Sequence, residues 1–342
     1  MPTQPSRARR WLREEKAVIH RNDLQCFAVQ LTVDSGKETQ PVAVGVDPGK
    51  LYSGIGVHSS KATLFTAHLE LPFERIKARM AGRAMMRRNR RGRRINRKIP
   101  FNQRAHRQKR FDNRRDHKLP PSIKANRQLE YRVVRELSRL FPISSIIYEI
   151  VKAKGNQGFS PVIVGQKVMT ERWLPQIAPV TTKFGWETSV RRQSLGLEKD
   201  RQKSNQTPAT HAVDGVALAS YQFLQYRNLK GDQGWFEGDV EITNSPFSIV
   251  KRPPISRRQL HLMVPAKGGV RRNYGGTVTR HGFQKGDFVE TERKGTKYRG
   301  WVSGNTKNQI SVSGFDWKRI GQFSANKTQL LKRNTNLIVN TY

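Results

Sequence analysis

The 342-residue sequence is short of cysteine, of acidic residues and of long apolar runs. One cysteine, Cys26, excludes an internal disulfide and any cysteine-based zinc site, and fits a reducing compartment. No stretch approaches the roughly 20 apolar residues needed to cross a bilayer. The start, Met1-Pro2-Thr3-Gln4-Pro5-Ser6-Arg7, lacks the apolar centre of a secretory leader, so a cytoplasmic protein with no membrane partner is expected. The third scarcity is the most informative. Only 26 Asp and Glu face 64 Lys and Arg, a net charge of +38 and a sequence pI near 11.2. Such an excess repels itself unless a polyanion neutralises it, which makes nucleic acid the expected partner. Where acids are this rare, one placed inside an apolar strand needs a reason.

The stretch Val42-Ala43-Val44-Gly45-Val46-Asp47-Pro48-Gly49 holds the first such acid. Its β-branched residues separated by small ones predict a strand buried on both faces, and Pro48-Gly49 predicts a turn into a second strand. An ionised carboxylate buried there costs several kcal/mol unless it is compensated. Asp47 therefore makes either an Asp-Pro-Gly turn or a metal ligand. Upstream, Pro5-Ser6 opens a helix through Leu12, and Ala17-Val18-Ile19-His20 and Phe27-Ala28-Val29-Gln30-Leu31 predict short strands. Downstream, a third strand over residues 62–69 ends before Pro72.

Composition then changes. Residues 75–118 carry nineteen Lys and Arg against Asp112 and Asp116, which places +17 of the net +38 in this segment. On a helical wheel Arg87, Arg91, Arg94 and Lys98 form one stripe and Arg90, Arg93 and Arg97 another, with Arg88 between, and Pro100 stops the helix. A helix basic on nearly every side cannot rest on a protein core along that length, and it repels itself in water. It suits a row of phosphates, which Arg can grip with two parallel hydrogen bonds; a solvated basic linker is the competing reading.

Residues 123–141 predict an amphipathic helix with Leu129, Val133, Leu137 and Leu140 on one face. A strand over residues 143–151 follows, whose single acid, Glu149, is either paired with Lys152 or Lys154 or a metal ligand. Residues 152–182 read as a linker with a short helix near residues 167–174, residues 183–190 as another strand, and residues 198–206 as an exposed loop. Thr207 and Pro208 open a helix on which His211 and Asp214, three residues apart, should face the same way near its positive end. Further on, Lys267, Arg271 and Arg272 lie in a glycine-interleaved basic stretch suited to a nucleic-acid strand. Alternation from residue 285 to 312, through Tyr298, Arg299 and Trp301, predicts an antiparallel barrel or sheet.

Together, Asp47, Glu149, His211 and Asp214 match the acidic edge of an RNase H-like nuclease core, where clustered carboxylates repel one another unless divalent metal binds. Gly45-Val46-Asp47-Pro48-Gly49, Ile147-Tyr148-Glu149 and His211-Ala212-Val213-Asp214 resemble the three split RuvC motifs of IscB and IsrB, transposon-encoded RNA-guided nucleases. The run from Arg87 resembles their bridge helix. Residues 5–21 resemble their small N-terminal PLMP domain, without its Pro-Leu-Met-Pro signature. Pro265-Ala266-Lys267-Gly268-Gly269 and Tyr298-Arg299-Gly300-Trp301 resemble their C-terminal portion.

The resemblance implies an α/β fold: an RNase H-like (RuvC) core split by an arginine-rich bridge helix, with a small N-terminal domain and a β-rich C-terminal domain. Its parts would be residues 1–40, PLMP-like; 41–71, RuvC segment I; 72–118, bridge helix and basic linker; 119–152, segment II; 153–182, linker; 183–230, segment III; and 231–342, contacting guide RNA and the target-adjacent motif. It implies two Mg²⁺, replaceable by Mn²⁺, on Asp47, Glu149 and Asp214, with His211 handling water. The implied partners are a long guide (omega) RNA and a double-stranded DNA target with a flanking motif, bound by a monomeric protein. Nucleic acid would be held by Arg87, Arg88, Arg90, Arg91, Arg93, Arg94, Arg97, Lys98, Lys267, Arg271, Arg272, Tyr298, Arg299 and Trp301. Between Glu149 and His211 lie 61 residues without a histidine. IscB carries an HNH nuclease there, which needs one, so the resemblance implies a single site that nicks the non-target strand. A guide-free RuvC-type junction resolvase and a non-enzymatic RNA-binding protein are the alternatives.

Overall fold

The computed structural model describes residues 3–34, 36, 38–94, 98–103, 119–152, 161–228, 234–255 and 276–342. They form two compact units, Met1–Ile249 with Thr341–Tyr342, and Val250–Asn340.

In the first unit, helix α1 (Pro5–Arg13) and the hairpin of β1 (Ala17–Arg21) and β2 (Phe27–Leu31) precede the main sheet. The sheet is centred on β3 (Val42–Asp47). Strand β4 (Tyr52–Ser59) pairs antiparallel with β3, and β5 (Ala62–Glu70) antiparallel with β4. Helices α2 (Phe73–Arg94) and α3 (Pro121–Leu137) lead to β6 (Ile143–Ile150), which pairs parallel with the free side of β3. After α4 (Pro161–Val168), β7 (Val180–Phe184) pairs parallel with β6. The order β5-β4-β3-β6-β7, with three antiparallel strands and then two parallel to the first, is the RNase H-like topology. Helices α5 (Gly185–Ser194) and α6 (Val213–Ala219), the hairpin of β8 (Leu224–Asn228) and β9 (Gly234–Gly238), and β10 (Phe247–Lys251) complete this part of the chain. Strand β10 lies beside β5.

Burial on both faces of β3 follows from its two covers. Helix α3 lies on one side with Leu129, Val133, Val134 and Leu137 fully buried, each contributing about 1.5–3 kcal/mol. Helix α6 lies on the other, where Ala43, Ile147, Leu218 and Ala219 form a core cluster. It comes unusually close to the strands because the facing positions lack side chains. A Cβ at Gly45 would fall 1.9 Å from the carbonyl oxygen of Gly215, and one at Gly54 would fall 1.8 Å from that of His211. The glycines of β3 and β4 thus set the height of the helix that carries His211 and Asp214.

Several expectations change. Within the segment expected over residues 72–118 the helix begins at Phe73, fourteen residues before the arginine run at Arg87, because Phe73, Ile76, Met80 and Ala84 recur at helical spacing, are half-buried, and let α2 pack on α3. Residues 161–176, read as linker with a short helix near its end, are helical throughout their length: α4 runs on through a wide π turn, Met169–Trp173, into the 3₁₀ turn Leu174–Gln176. The strand expected over residues 183–190 ends at Phe184. There the Glu187 carboxylate accepts the Phe184 N–H at 2.7 Å and starts α5 instead. Residues 234–249, within the stretch assigned from sequence to the C-terminal region, belong to the first unit: Thr243 N–H donates to Thr63 Oγ1 at 3.4 Å, and β10 extends the main sheet.

The second unit is a five-stranded antiparallel sheet, ordered β14-β13-β12-β11-β15. Its strands are β11 (Phe288–Arg293), β12 (Thr296–Asn305), β13 (Gln309–Ser313), β14 (Arg319–Ser324) and β15 (Thr328–Lys332). Strands β11 and β12 meet in a two-residue turn, Lys294-Gly295, with φ of 51° and 78°, the positive values such hairpins need. Val289, Val302, Ile310, Val312 and Phe323 form its core. Among the described residues of the whole chain, no helix is long and apolar enough to cross a membrane.

Candidate active site

Asp47 and Glu149 close neighbouring parallel strands. The register pairs Val46 with Tyr148, so the next residue on each strand comes out at the same end of the sheet. The π turn Pro208–Ala212, which precedes α6, carries His211 over the end of β3. His211 Nδ1 lies 3.2 Å from Asp47 Oδ2, with the two side chains 9% and 13% exposed. A carboxylate there selects the tautomer with the proton on Nδ1. It leaves Nε2 as an acceptor, and Nε2 is buried without a protein partner.

Glu149 reports the electrostatics. Burial, reinforced by the charges of Asp47 and Asp214, raises its carboxyl to about 7, against the opposing pull of Thr188 and Lys199. A carboxyl feels two others this way only when all three share one neighbourhood.

Asp214, 3% exposed, does not share a partner with His211. Its Oδ1 accepts from Arg192 Nη1 at 2.5 Å, and its Oδ2 accepts from Lys199 Nζ. The sequence placed His211 and Asp214 on one side of a regular helix. The wide turn instead commits the histidine to Asp47, while Asp214 turns to cations from α5 and from the loop after it. That loop, expected to be simply exposed, is organised by Asp200, which accepts from Gln202 N–H at 2.8 Å and Asn205 Nδ2 at 2.6 Å and donates its own N–H to Ala209 O at 2.9 Å.

Among the described residues, no group of three His, Cys, Asp or Glu side chains is arranged to hold a metal ion. Asp214 is engaged elsewhere. The donor chemistry still fits a hard divalent cation: the available atoms are carboxylate oxygens, and the repulsion that raises Glu149 is what a cation would relieve.

Sequence reasoning missed five further side chains. His68 on β5 lies beside His211, ring centres 5.4 Å apart, with Nδ1 3.3 Å from Thr210 Oγ1. Arg192 and Lys199 carry no sequence signal, since each reads as an ordinary surface cation. Behind Asp47, Arg127 and Glu130 of α3 are buried under the Pro48-Gly49 turn. Arg127 Nη2 donates to Gly49 O at 2.7 Å, its Nη1 reaches Tyr148 Oη at 2.5 Å and Glu130 Oε2 at 3.0 Å, and Ser53 Oγ donates to Glu130 Oε1 at 2.5 Å. Their i, i+3 spacing beside the apolar stripe was the available signal.

Burial, with a smaller contribution from His211, lowers His68 to about 4. Its share of stability is therefore complete above pH 6.5 and lost as pH falls towards 4. Glu149, raised, acts with the opposite sign, favouring the fold as pH falls through 7. Comparison with His68→Gln removes that common term. The urea midpoint of the unmodified protein should drop relative to the variant's between pH 7 and pH 4.5, and parallel profiles would disprove a neutral buried His68.

The expected nucleic-acid contacts divide. Arg87 and Arg88 lie on α2, where Arg87 Nε donates to Arg83 O at 3.2 Å. Arg90, Arg91, Arg93 and Arg94 occupy its last turns, and Lys98 is exposed beyond them. Arg97, Lys267, Arg271 and Arg272 lie outside the described residues. On β12, Arg299 is exposed and pairs with Glu290 at 2.7 Å. Trp301 is 9% exposed and packs on Phe288 and Phe315, and Tyr298 packs on Phe323. Three residues apart on β12, the two rings lie on opposite faces of the sheet, Tyr298 against the core of Val289, Val302 and Phe323 and Trp301 against Phe288 and Phe315.

Residues 1–167 match the family model described as RRXRR protein. The match covers just under half of the chain, and the pattern in that description occurs twice, as Arg87-Arg88-Asn89-Arg90-Arg91 and Arg90-Arg91-Gly92-Arg93-Arg94. No curated protein matches. Among solved structures, the chain is similar to T. thermophilus RuvC in complex with a Holliday junction substrate, at 14% identity over 53% of this chain and 90% of that one, with a TM-score of 0.29. It is also similar to the Thermus thermophilus RuvC structure, at 12% identity over 52% and 90%, again with a TM-score of 0.29. The fold assignment stands on the strand order, not on these values.

Proposed function

We propose that this chain is an RNA-guided DNA endonuclease that nicks the displaced strand of a guide-opened duplex at a single metal-dependent RuvC-type site. The observation that carries this reading is the meeting of His211 with Asp47, beside Glu149, at the carboxyl ends of β3 and β6. The basic helix α2, inserted between β5 and α3, and the match to the RRXRR family model support it.

Asp47, Glu149 and Asp214 would hold Mg²⁺, or Mn²⁺ in its place, and the ion would supply Lewis-acid stabilisation of charge on the phosphate oxygens. The protein's own groups do the rest. Asp47 fixes the His211 tautomer, and Nε2, with its lone pair free, accepts the proton of the attacking water. His68 stays neutral beside it, so His211 meets no second positive charge from that side. Helix α2 lies along the phosphates of guide RNA paired to the target strand, gripping backbone rather than bases. Sequence selection is left to pairing by the long guide RNA and to the motif flanking the target, and the protein acts as a monomer within the ribonucleoprotein.

A supercoiled plasmid carrying the target, incubated with protein, guide RNA and Mg²⁺, tests this. Open circles should accumulate without linear product. Linear product would overturn the single site, and cutting that survives removal of RNA would identify a guide-free resolvase instead.

A further inference from the structure

We propose that Arg192 and Lys199 form a phosphodiester seat beside Asp214, occupied by the Asp214 carboxylate itself until a nucleic-acid strand arrives. The inference rests on the nuclease reading above and adds what prepares its site. Both oxygens of Asp214 are taken, Oδ1 by Arg192 and Oδ2 by Lys199. Two cations from separate elements converge on this one carboxylate, one positive charge more than Asp214 by itself neutralises, with Lys199 also acting on Glu149. The two side chains are 15% and 31% exposed, so solvent, and hence a strand, reaches them. Arg192 is steadied by α5, where its Nη2 donates to Ser189 Oγ at 3.3 Å, and Lys199 by the Asp200-centred turn next to it. A surplus cation pair at the rim of a carboxylate cluster is complementary to a phosphate carrying one negative charge.

The consequence is a linkage. While Asp214 neutralises the pair, a divalent ion must compete with both cations for it. Once a phosphodiester takes over Arg192 and Lys199, Asp214 is released to bind metal. Strand and metal must therefore strengthen each other's binding by the same factor.

Mn²⁺ binding to the full-length protein, followed by electron paramagnetic resonance with and without a short oligothymidylate, reads this without any turnover. Addition of the oligonucleotide should tighten Mn²⁺ binding about tenfold. Lys199→Gln and Arg192→Gln should each bind Mn²⁺ more tightly than the unmodified protein when no strand is present, and should lose most of the oligonucleotide effect. Lys199→Arg should keep it, and thermal melts confirm that each variant is folded. Oligouridylate of equal length distinguishes a DNA from an RNA phosphate as the natural occupant. Asp47-dependent Mn²⁺ binding that neither substitution nor oligonucleotide alters would overturn the seat alone. Mn²⁺ binding equal in the unmodified protein and Asp47→Ala, with strand present or absent, would overturn the nuclease reading as well.

Discussion

Asp47→Ala is expected to lower plasmid nicking by a factor on the order of 10²–10³ or more, the range seen when one group that stabilises transition-state charge is removed. Affinity for guide RNA and target should stay nearly unchanged. Two effects add. On the proposed reading the substitution removes one of the three carboxylates that would hold the metal, and it removes the acceptor that holds the Nδ1 proton of His211. Without that acceptor the imidazole is free to take the other tautomer, in which Nε2 carries a proton and cannot accept one. Binding should be spared because, on the same reading, the cationic surface rather than this acid would hold the phosphates. The fold is spared because Asp47 ends its strand and its side chain is held mainly by His211, while Val42, Val44 and Val46 do the packing. Gel shifts should therefore match those of the unmodified protein while the open-circle band stays near background. Full cleavage by Asp47→Ala would remove this residue from the site.

The second large effect is on stability. Glu130→Ala should destabilise the first unit by about 3–5 kcal/mol, because it leaves the Arg127 guanidinium buried without its counter-charge. Arg127 has little solvent to turn to: it is 7% exposed, between Tyr148, Gly49 and Glu130. Against a total stability of roughly 5–15 kcal/mol for a domain, that is a large share. Replacing both residues, as Arg127→Met with Glu130→Met, should cost much less than the two single losses combined, since a buried pair exchanged for apolar side chains of similar size is often near neutral. Urea unfolding of the singles and the double decides it. Additive losses would mean that the two residues do not act as a pair. The double variant has a further use. If it folds but nicks slowly, the network's role is to hold the Pro48-Gly49 turn, and with it Asp47, in place.

Much of this architecture is legible in the chain itself. The alternation of valines with small residues fixed β3, and Pro48-Gly49 fixed its turn into β4, because both are local backbone effects. The apolar spacing of α3 was likewise local. Boundaries failed where a neighbour intervened. Helix α2 starts early because α3 gives Ile76 and Met80 a surface to rest on, and α5 replaces a strand because one carboxylate caps it. On the site, an acid in an apolar strand singled out Asp47 and Glu149, which the register of β3 and β6 brings to the same end of the sheet.

What the sequence by itself determined is therefore the inventory: which acids sit in apolar strands, which segment carries the excess charge, and the strands and helix immediately around Asp47 and Glu149. Only the tertiary structure decided the pairings. It put His211 on Asp47, gave Asp214 to Arg192 and Lys199, and set α6 directly on Gly45 and Gly54. The physical reason is range. Propensity and periodicity act over a few residues, whereas these contacts join side chains more than a hundred positions apart, or cations from separate elements, and depend on a helix whose height is set by what the facing strand lacks.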